Sequence, residues 1–213
     1  LTAVHGALKI GIRIRWEKRR MAPEQVLLYC GRAAVFALLA GACWAAGSLI
    51  ASRKNGVWPD KRAFWWRLAL VVYLAALVQI TVIRDFRTFL SSPAASRTAA
   101  TVQLIPLKTT LGEWQGGLWR FCYHVIGNML WFIPFGALAP RASRRLRGTG
   151  GIAVAAACLS AAIELAQWGF ATGISDVDDV LMNTLGALAG WMVFWKRAGS
   201  GYAPRFTALR KKG

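Results

Sequence analysis

Apolar runs of about 20 residues, separated by short basic clusters, make up most of this chain. Twenty residues is roughly the length that an α-helix needs to cross the hydrocarbon core of a bilayer. The runs lie at residues 27–51, 64–83, 121–139, 151–170 and 178–195. This pattern predicts an all-α fold, a multi-pass transmembrane helical bundle of about five spans.

Two details of the runs bear on helix packing. Pro134 stands inside the apolar stretch "MLWFIPFGALA", so the third span is expected to kink or to break early. Gly186 and Gly190 form a small-xxx-small pair in the fifth span. Such pairs let two helix backbones approach closely, and we expect close packing at this point.

The composition agrees with a membrane protein. Hydrophobic residues are 56% of the 213 residues, above the roughly 45–50% of soluble domains. The 11 Trp suit a chain with two bilayer interfaces. All four cysteines, Cys30, Cys43, Cys122 and Cys158, fall within or beside apolar runs and form no CxxC pair. We therefore expect small buried hydrophobes and no disulfide framework.

The formal net charge of +18 is held in clusters that flank the apolar runs. Lys and Arg on short loops mark the cytoplasmic side of a membrane, and they contact anionic lipid headgroups. The basic residues form no surface interleaved with aromatic side chains, so no nucleic acid is expected as a partner. With five spans, one side would carry 14 basic residues and the other 5. This predicts a cytoplasmic C-terminus and an N-terminus outside.

These predictions divide the chain into parts. The parts are a basic N-terminal tail (1–25), two transmembrane helices (26–83), an extracytoplasmic linker (84–120), three transmembrane helices (121–195) and a basic cytoplasmic tail (196–213). The linker, with Pro93, Pro106 and "VQLIPL", is expected to be irregular or re-entrant. Residues 1–20 carry six basic side chains on the wrong side for this orientation. One interpretation is a gene-model extension before a true start at Met21, and the rival is a basic amphipathic tail with one span fewer.

Several polar residues fall inside or beside the spans, where lipid penalises them. They are His124 and Asn128 on the third span, Ser160, Glu164 and Gln167 on the fourth, and Asp176, Asp179 and Asn183 on the fifth. Within each span, the spacing puts them on one helix face. Because the third and fifth spans begin on the side where the fourth ends, all three faces lie at one depth. We expect them to line a shared polar pocket at the extracytoplasmic surface.

Structural interpretations of the same residues stay open. Ser175 and Asp178 would form a near capping box at the start of the fifth span, with Asp176 and Asp179 as solvated linker residues. His124 and Asn128 would hold the bundle together by an interhelical hydrogen bond. Glu164 resists such an explanation, because it is a carboxyl in the middle of an apolar run with no basic residue nearby in sequence.

Four stretches resemble the VanZ-like family of bacterial membrane proteins. They are "VQLIPLKTT" (102–110), "HVIGNMLWFIPFGALAP" (124–140), "SAAIELAQ" (160–167) and "DVDDVLMNTLGALAG" (176–190). In that order they are similar to the family's Asn-Leu-x-Pro-Phe loop, its Asn-x-x-x-Phe-x-Pro-Phe-Gly segment, its Ser-x-x-x-Glu-x-x-Gln helix and its Asp-x-Asp-Asp-x-x-x-Asn-x-x-Gly ending. Gln103 and Leu107 replace the usual Asn and Phe, and Ile174 lies where an Arg often precedes the acids. Arg84, Arg87 or Arg120 would have to replace that Arg in binding an anion.

The resemblance implies a multi-pass protein of the bacterial cytoplasmic membrane, in a family whose founder is linked to low-level resistance to the glycopeptide teicoplanin. We therefore expect a cell-envelope protein whose outer-leaflet pocket handles a lipid-linked or cell-wall-related ligand. The alternatives are a non-catalytic partner of envelope machinery, a hydrolase or transferase acting on an envelope lipid, and a small proton-coupled transporter. No cofactor is predicted, and no catalytic residue or oligomeric state is assigned. A divalent metal held by His124, Glu164 and Asp179 is a further alternative, although one His is few for zinc.

Overall fold

The structure, a computed structural model, describes residues 23–83, 102–170 and 175–196. Its α-helices are α1 (Pro23–Asn55), α2 (Lys61–Thr81), α3 (Lys108–Gln115), α4 (Leu118–Ala142), α5 (Thr149–Gly169) and α6 (Val177–Gly190). Two short strands, β1 (Val102–Gln103) and β2 (Ser175–Asp176), pair in parallel. A 3₁₀ turn, Arg144–Leu146, joins α4 to α5, and α6 continues as a π-helical segment, Trp191–Lys196.

The all-α, multi-pass fold is confirmed. Four of the described helices, α1, α2, α4 and α5, are long and apolar enough to cross a membrane. The fifth predicted span, 178–195, is α-helical only as far as Gly190, and its last residues belong to the π-helical segment. The expected break at Pro134 is wrong, because α4 continues through Pro134 and Pro140.

The linker over 84–120 is expected to be irregular, but its described part contains regular secondary structure. Residues 84–101 lie outside the described residues, as do residues 1–22 and 197–213. The remainder contains β1 and the two-turn helix α3, and α4 begins at Leu118, three residues before the predicted span. Regular structure forms here because β2 offers β1 a pairing edge and because Asp178 of α6 caps the start of α3.

The C-terminal ends of α2 and α5 lie at the same end of the bundle. Gln167, near the end of α5, donates a hydrogen bond to the carbonyl of Thr81 at the end of α2 (3.1 Å). The starts of α4 and α6 lie at this same end, which we call the polar end. At the opposite, basic end, Arg67 Nε donates to the carbonyl of Ala142 (3.3 Å) and the Arg141 guanidinium lies 5.1 Å from the Trp66 ring centroid. The loop after α1 and the loop after α4 therefore meet at one end.

The core lies where α2, α4, α5 and α6 meet. Its fully buried members include Leu77, Phe132, Ile152 and Ala187. The α4–α6 contact is the closest, because glycines stand on both helices. A Cβ at Gly186 would come within 3.0 Å of the Met129 backbone, and one at Gly190 would meet the Ile133 backbone in the same way.

The cysteines differ from the prediction of buried positions. All four are free thiols; Cys30, Cys43 and Cys158 are exposed on the helix surfaces and Cys122 is half-buried. The outer face of a spanning helix meets lipid, so an apolar thiol there needs no cover from protein.

Candidate functional site: a carboxyl cluster at the polar end

Asp178, in the first turn of α6, anchors the start of α3. Its side chain, 0% exposed, accepts hydrogen bonds from the backbone N–H of Leu107 (2.5 Å) and from the N–H and hydroxyl of Thr110 (both 2.9 Å). Leu107 is the N-cap of α3 and has no polar side chain to cap it. The Asp178 carboxylate thus satisfies donors that a helix N-terminus leaves free.

Asp176 caps α6. Its Oδ1 accepts from the backbone N–H of Asp178 (2.9 Å), which is the usual role of an Asp at the N-cap. The alternative in which Ser175 and Asp178 form a near capping box therefore does not hold. Ser175, one residue before the N-cap Asp176, pairs with Val102 in the strand ladder, and the Asp178 side chain accepts hydrogen bonds from the start of α3.

Glu164 and Ser160 join α5 to the start of α6. Glu164, 5% exposed, accepts from the backbone N–H of Asp176 (2.8 Å). One turn earlier on the same helix face, the buried Ser160 hydroxyl accepts from the Asn183 side-chain amide (2.8 Å). The stripe predicted on α5 therefore faces the stripe predicted on α6.

Asp179 faces α4. Its Oδ1 accepts from the Asn128 side-chain amide (2.5 Å), so Asn128 does make an interhelical hydrogen bond. His124, one turn before Asn128, places Nε2 3.6 Å from the same oxygen, beyond hydrogen-bond length. The buried Nε2 atom has no hydrogen-bond partner among the described residues. The Asp179 side chain remains 24% exposed and that of His124 19%.

These contacts bring three carboxyl groups together, the carboxyl cluster of Glu164, Asp176 and Asp179. The carboxyls of Asp176 and Asp179 lie close enough to Glu164 to repel it electrostatically. Within the described ranges, no three His, Cys, Asp or Glu side chains form a group suited to a metal ion.

The comparison with protein families gives one match. The sequence profile of the VanZ/LLP1 family matches residues 70–198, more than half of the chain. The chain belongs to the VanZ/LLP1 family. The resemblance drawn from the four stretches is thereby confirmed. No match is found among curated proteins or among solved structures.

Of the eight candidate residues in this VanZ/LLP1 chain, Gln167 turns away from the cluster. Its side-chain amide donates to the carbonyl of Thr81 and so joins α5 to α2. The matched segment begins at Leu70, so the cluster lies within it and α1 lies before it.

Of the basic residues expected to bind an anion, Arg120 is the one among the described residues. It forms a bidentate ion pair with Glu113, with N···O distances of 2.8 and 3.0 Å. Arg84 and Arg87 lie outside the described residues. The structure adds Asp178 and Thr110 as residues that shape the site. No local sequence signal reveals their contact, since 68 positions separate them.

Proposed function

We propose that this VanZ/LLP1 membrane protein uses its carboxyl cluster to handle a lipid-linked or cell-wall-related ligand in the outer leaflet, and so alters glycopeptide susceptibility. The supporting observation is that Glu164 is buried and Asp179 is partly buried at one end of a membrane-spanning bundle. Carboxyl groups within a membrane-spanning bundle are energetically costly and usually have a functional role.

The chemistry of the cluster favours a ligand rich in hydrogen-bond donors. An ionised carboxylate only accepts hydrogen bonds and has about four acceptor positions. Asp179 receives a single hydrogen bond from the described residues, that of Asn128. Sugar hydroxyls, peptide N–H groups and amines, which cell-wall intermediates carry, would use the remaining positions. The unpartnered Nε2 of His124 adds one more polar contact beside Asp179.

The test compares carboxyl-to-amide variants in a strain that depends on this protein for its change in teicoplanin susceptibility. Glu164→Gln and Asp179→Asn keep the side-chain shape and an oxygen for the neighbouring donor. We expect either variant to reduce the protein-dependent change to the level of the empty vector. The amount of protein in the membrane, measured by immunoblot, is expected to stay within about twofold of wild type, since surviving hydrogen bonds hold the fold.

Asp60→Asn is the matched control. Asp60 caps α2 at the basic end through a 2.9 Å hydrogen bond to the Ala63 N–H. Asn is nearly as good an N-cap as Asp, so this variant is expected to retain wild-type susceptibility. Full activity of both Glu164→Gln and Asp179→Asn at normal abundance would contradict the proposal.

A further inference from the structure

A groove of about 550 Å³ follows the outer face of α1 beside the end of α2. Seven of its lining residues are on α1 and one, Gln79, is on α2. The apolar lining residues are Leu27, Leu28, Val35, Phe36 and Leu39; the polar ones are Arg32 and Gln79. The volume is within the range of about 300–1,000 Å³ typical of ligand sites. All but Gln79 precede the segment matched by the family profile.

The length of α2 indicates the position of the groove along the bilayer normal. A helix of 21 residues is roughly 31 Å long, close to the thickness of the hydrocarbon core. Gln79 lies two residues before the last residue of α2, Thr81, at the polar end. Its side of the groove is therefore at the boundary between headgroups and hydrocarbon, and Arg32 lines the same groove. Leu39 is seven residues further along α1, roughly 10 Å deeper in the bilayer.

The groove thus combines a cation at headgroup level with an apolar wall that runs into the hydrocarbon. Arg32 is exposed, and none of the described carboxylates forms an ion pair with it. A guanidinium presents paired N–H donors that fit the oxygens of a phosphate group. Basic residues between transmembrane helices are a common means of holding anionic headgroups.

We infer that this groove binds one anionic phospholipid of the leaflet at the polar end. The lipid phosphate pairs with Arg32, Gln79 donates a hydrogen bond to the headgroup region, and one acyl chain lies along Val35, Phe36 and Leu39. The inference concerns α1 and its partner helix, so it does not depend on the role of the carboxyl cluster.

Single substitutions separate the contribution of the Arg32 charge from that of the acyl-chain contact. Gly31 lines the groove, and a Cβ added there meets no atom within 4 Å. Gly31→Leu therefore adds apolar bulk to the groove from a position where the Cβ itself has open space. Gly47 on the same helix is equally open but does not line the groove, so Gly47→Leu is its control. Arg32→Gln removes the cation, and Arg53→Gln removes one near the other end of α1.

Native mass spectrometry of the full chain in detergent measures the first bound lipid during titration with phosphatidylglycerol or phosphatidylcholine. We expect wild type to prefer phosphatidylglycerol by about tenfold, because the choline cation of phosphatidylcholine offsets the phosphate charge with which Arg32 pairs. Arg32→Gln is expected to abolish this preference, and Gly31→Leu to weaken the binding of both lipids by about tenfold. Gly47→Leu and Arg53→Gln should bind like wild type.

Three results would overturn the inference. The first is an unchanged lipid preference in Arg32→Gln, and the second is unchanged binding in Gly31→Leu. The third is displacement of phosphatidylglycerol by millimolar inorganic phosphate, which would show that the acyl chain contributes nothing. Size-exclusion profiles and helical circular dichroism equal to wild type establish that each variant is folded.

Discussion

Asp178 and Asp179 are adjacent in sequence but have different surroundings. Asp178 is completely buried and accepts hydrogen bonds from three donors at the start of α3, besides donating its own N–H to Asp176. Asp179 is partly exposed and accepts one hydrogen bond, from Asn128. The first carboxylate is saturated by the fold, whereas the second retains acceptor positions for a ligand.

This contrast predicts different costs for the same substitution. Asp178→Asn leaves one oxygen for three donors and turns an NH₂ group towards N–H groups, so we expect unfolding to become easier by about 2–3 kcal/mol. Hydrogen exchange of residues 102–115 should accelerate with it. Asp179→Asn should cost less than about 1 kcal/mol, because the amide oxygen can still accept from Asn128. Equal losses of stability in detergent would show that Asp178 is not the anchor.

At the level of helices, the contact between α4 and α6 depends on the absence of side chains. Gly186→Ala would bring a Cβ within 3.0 Å of the Met129 backbone, which cannot move as a flexible side chain can. We expect this variant to lower thermal stability in detergent by about 1–3 kcal/mol, as overpacking does. The lipid groove on α1 should be unaffected, since its lining residues are on α1 and α2.

Gly127→Ala provides the control on α4. A Cβ at Gly127 meets nothing within 4 Å, and Ala favours a helix by about 1 kcal/mol relative to Gly. This variant is therefore expected to be as stable as wild type or slightly more so. If Gly127→Ala and Gly186→Ala lose stability equally, the loss does not come from the α4–α6 contact.

The elements also show why the sequence predicts some features and not others. Hydrophobic run length predicts the spanning helices, and antiparallel connectivity places Glu164, Asp179 and His124 at one depth. Which neighbouring helix each polar side chain contacts depends on the rotation of its helix about its own axis, and run length does not determine that rotation. Gln167, one turn beyond Glu164, therefore contacts α2 and not the carboxyl cluster. Helix α3 has no local capping signal, because its cap is the distant Asp178.

For the whole molecule, the two ends differ in charge. At the basic end, Arg141 donates to the carbonyl of Phe194 (2.7 Å), so the loop after α1, the loop after α4 and the π-helical segment meet there. Four basic residues lie in 52–63 and four in 140–150. The described part of the polar end has fewer cations and contains the carboxyl cluster. Such an asymmetry favours insertion with the basic end in the cytoplasm.

Single-cysteine labelling tests this orientation in a background where the four native cysteines are replaced by Ser. Gln115 and Thr149 are both exposed, at the polar and basic ends respectively. We expect a membrane-impermeant maleimide to label Gln115→Cys in spheroplasts, and to label Thr149→Cys only after lysis. The reverse pattern would place the carboxyl cluster at the inner leaflet, where it could not meet an outer-leaflet ligand. The groove at Arg32 would keep its chemistry in that case, because anionic phospholipids also occur in the inner leaflet.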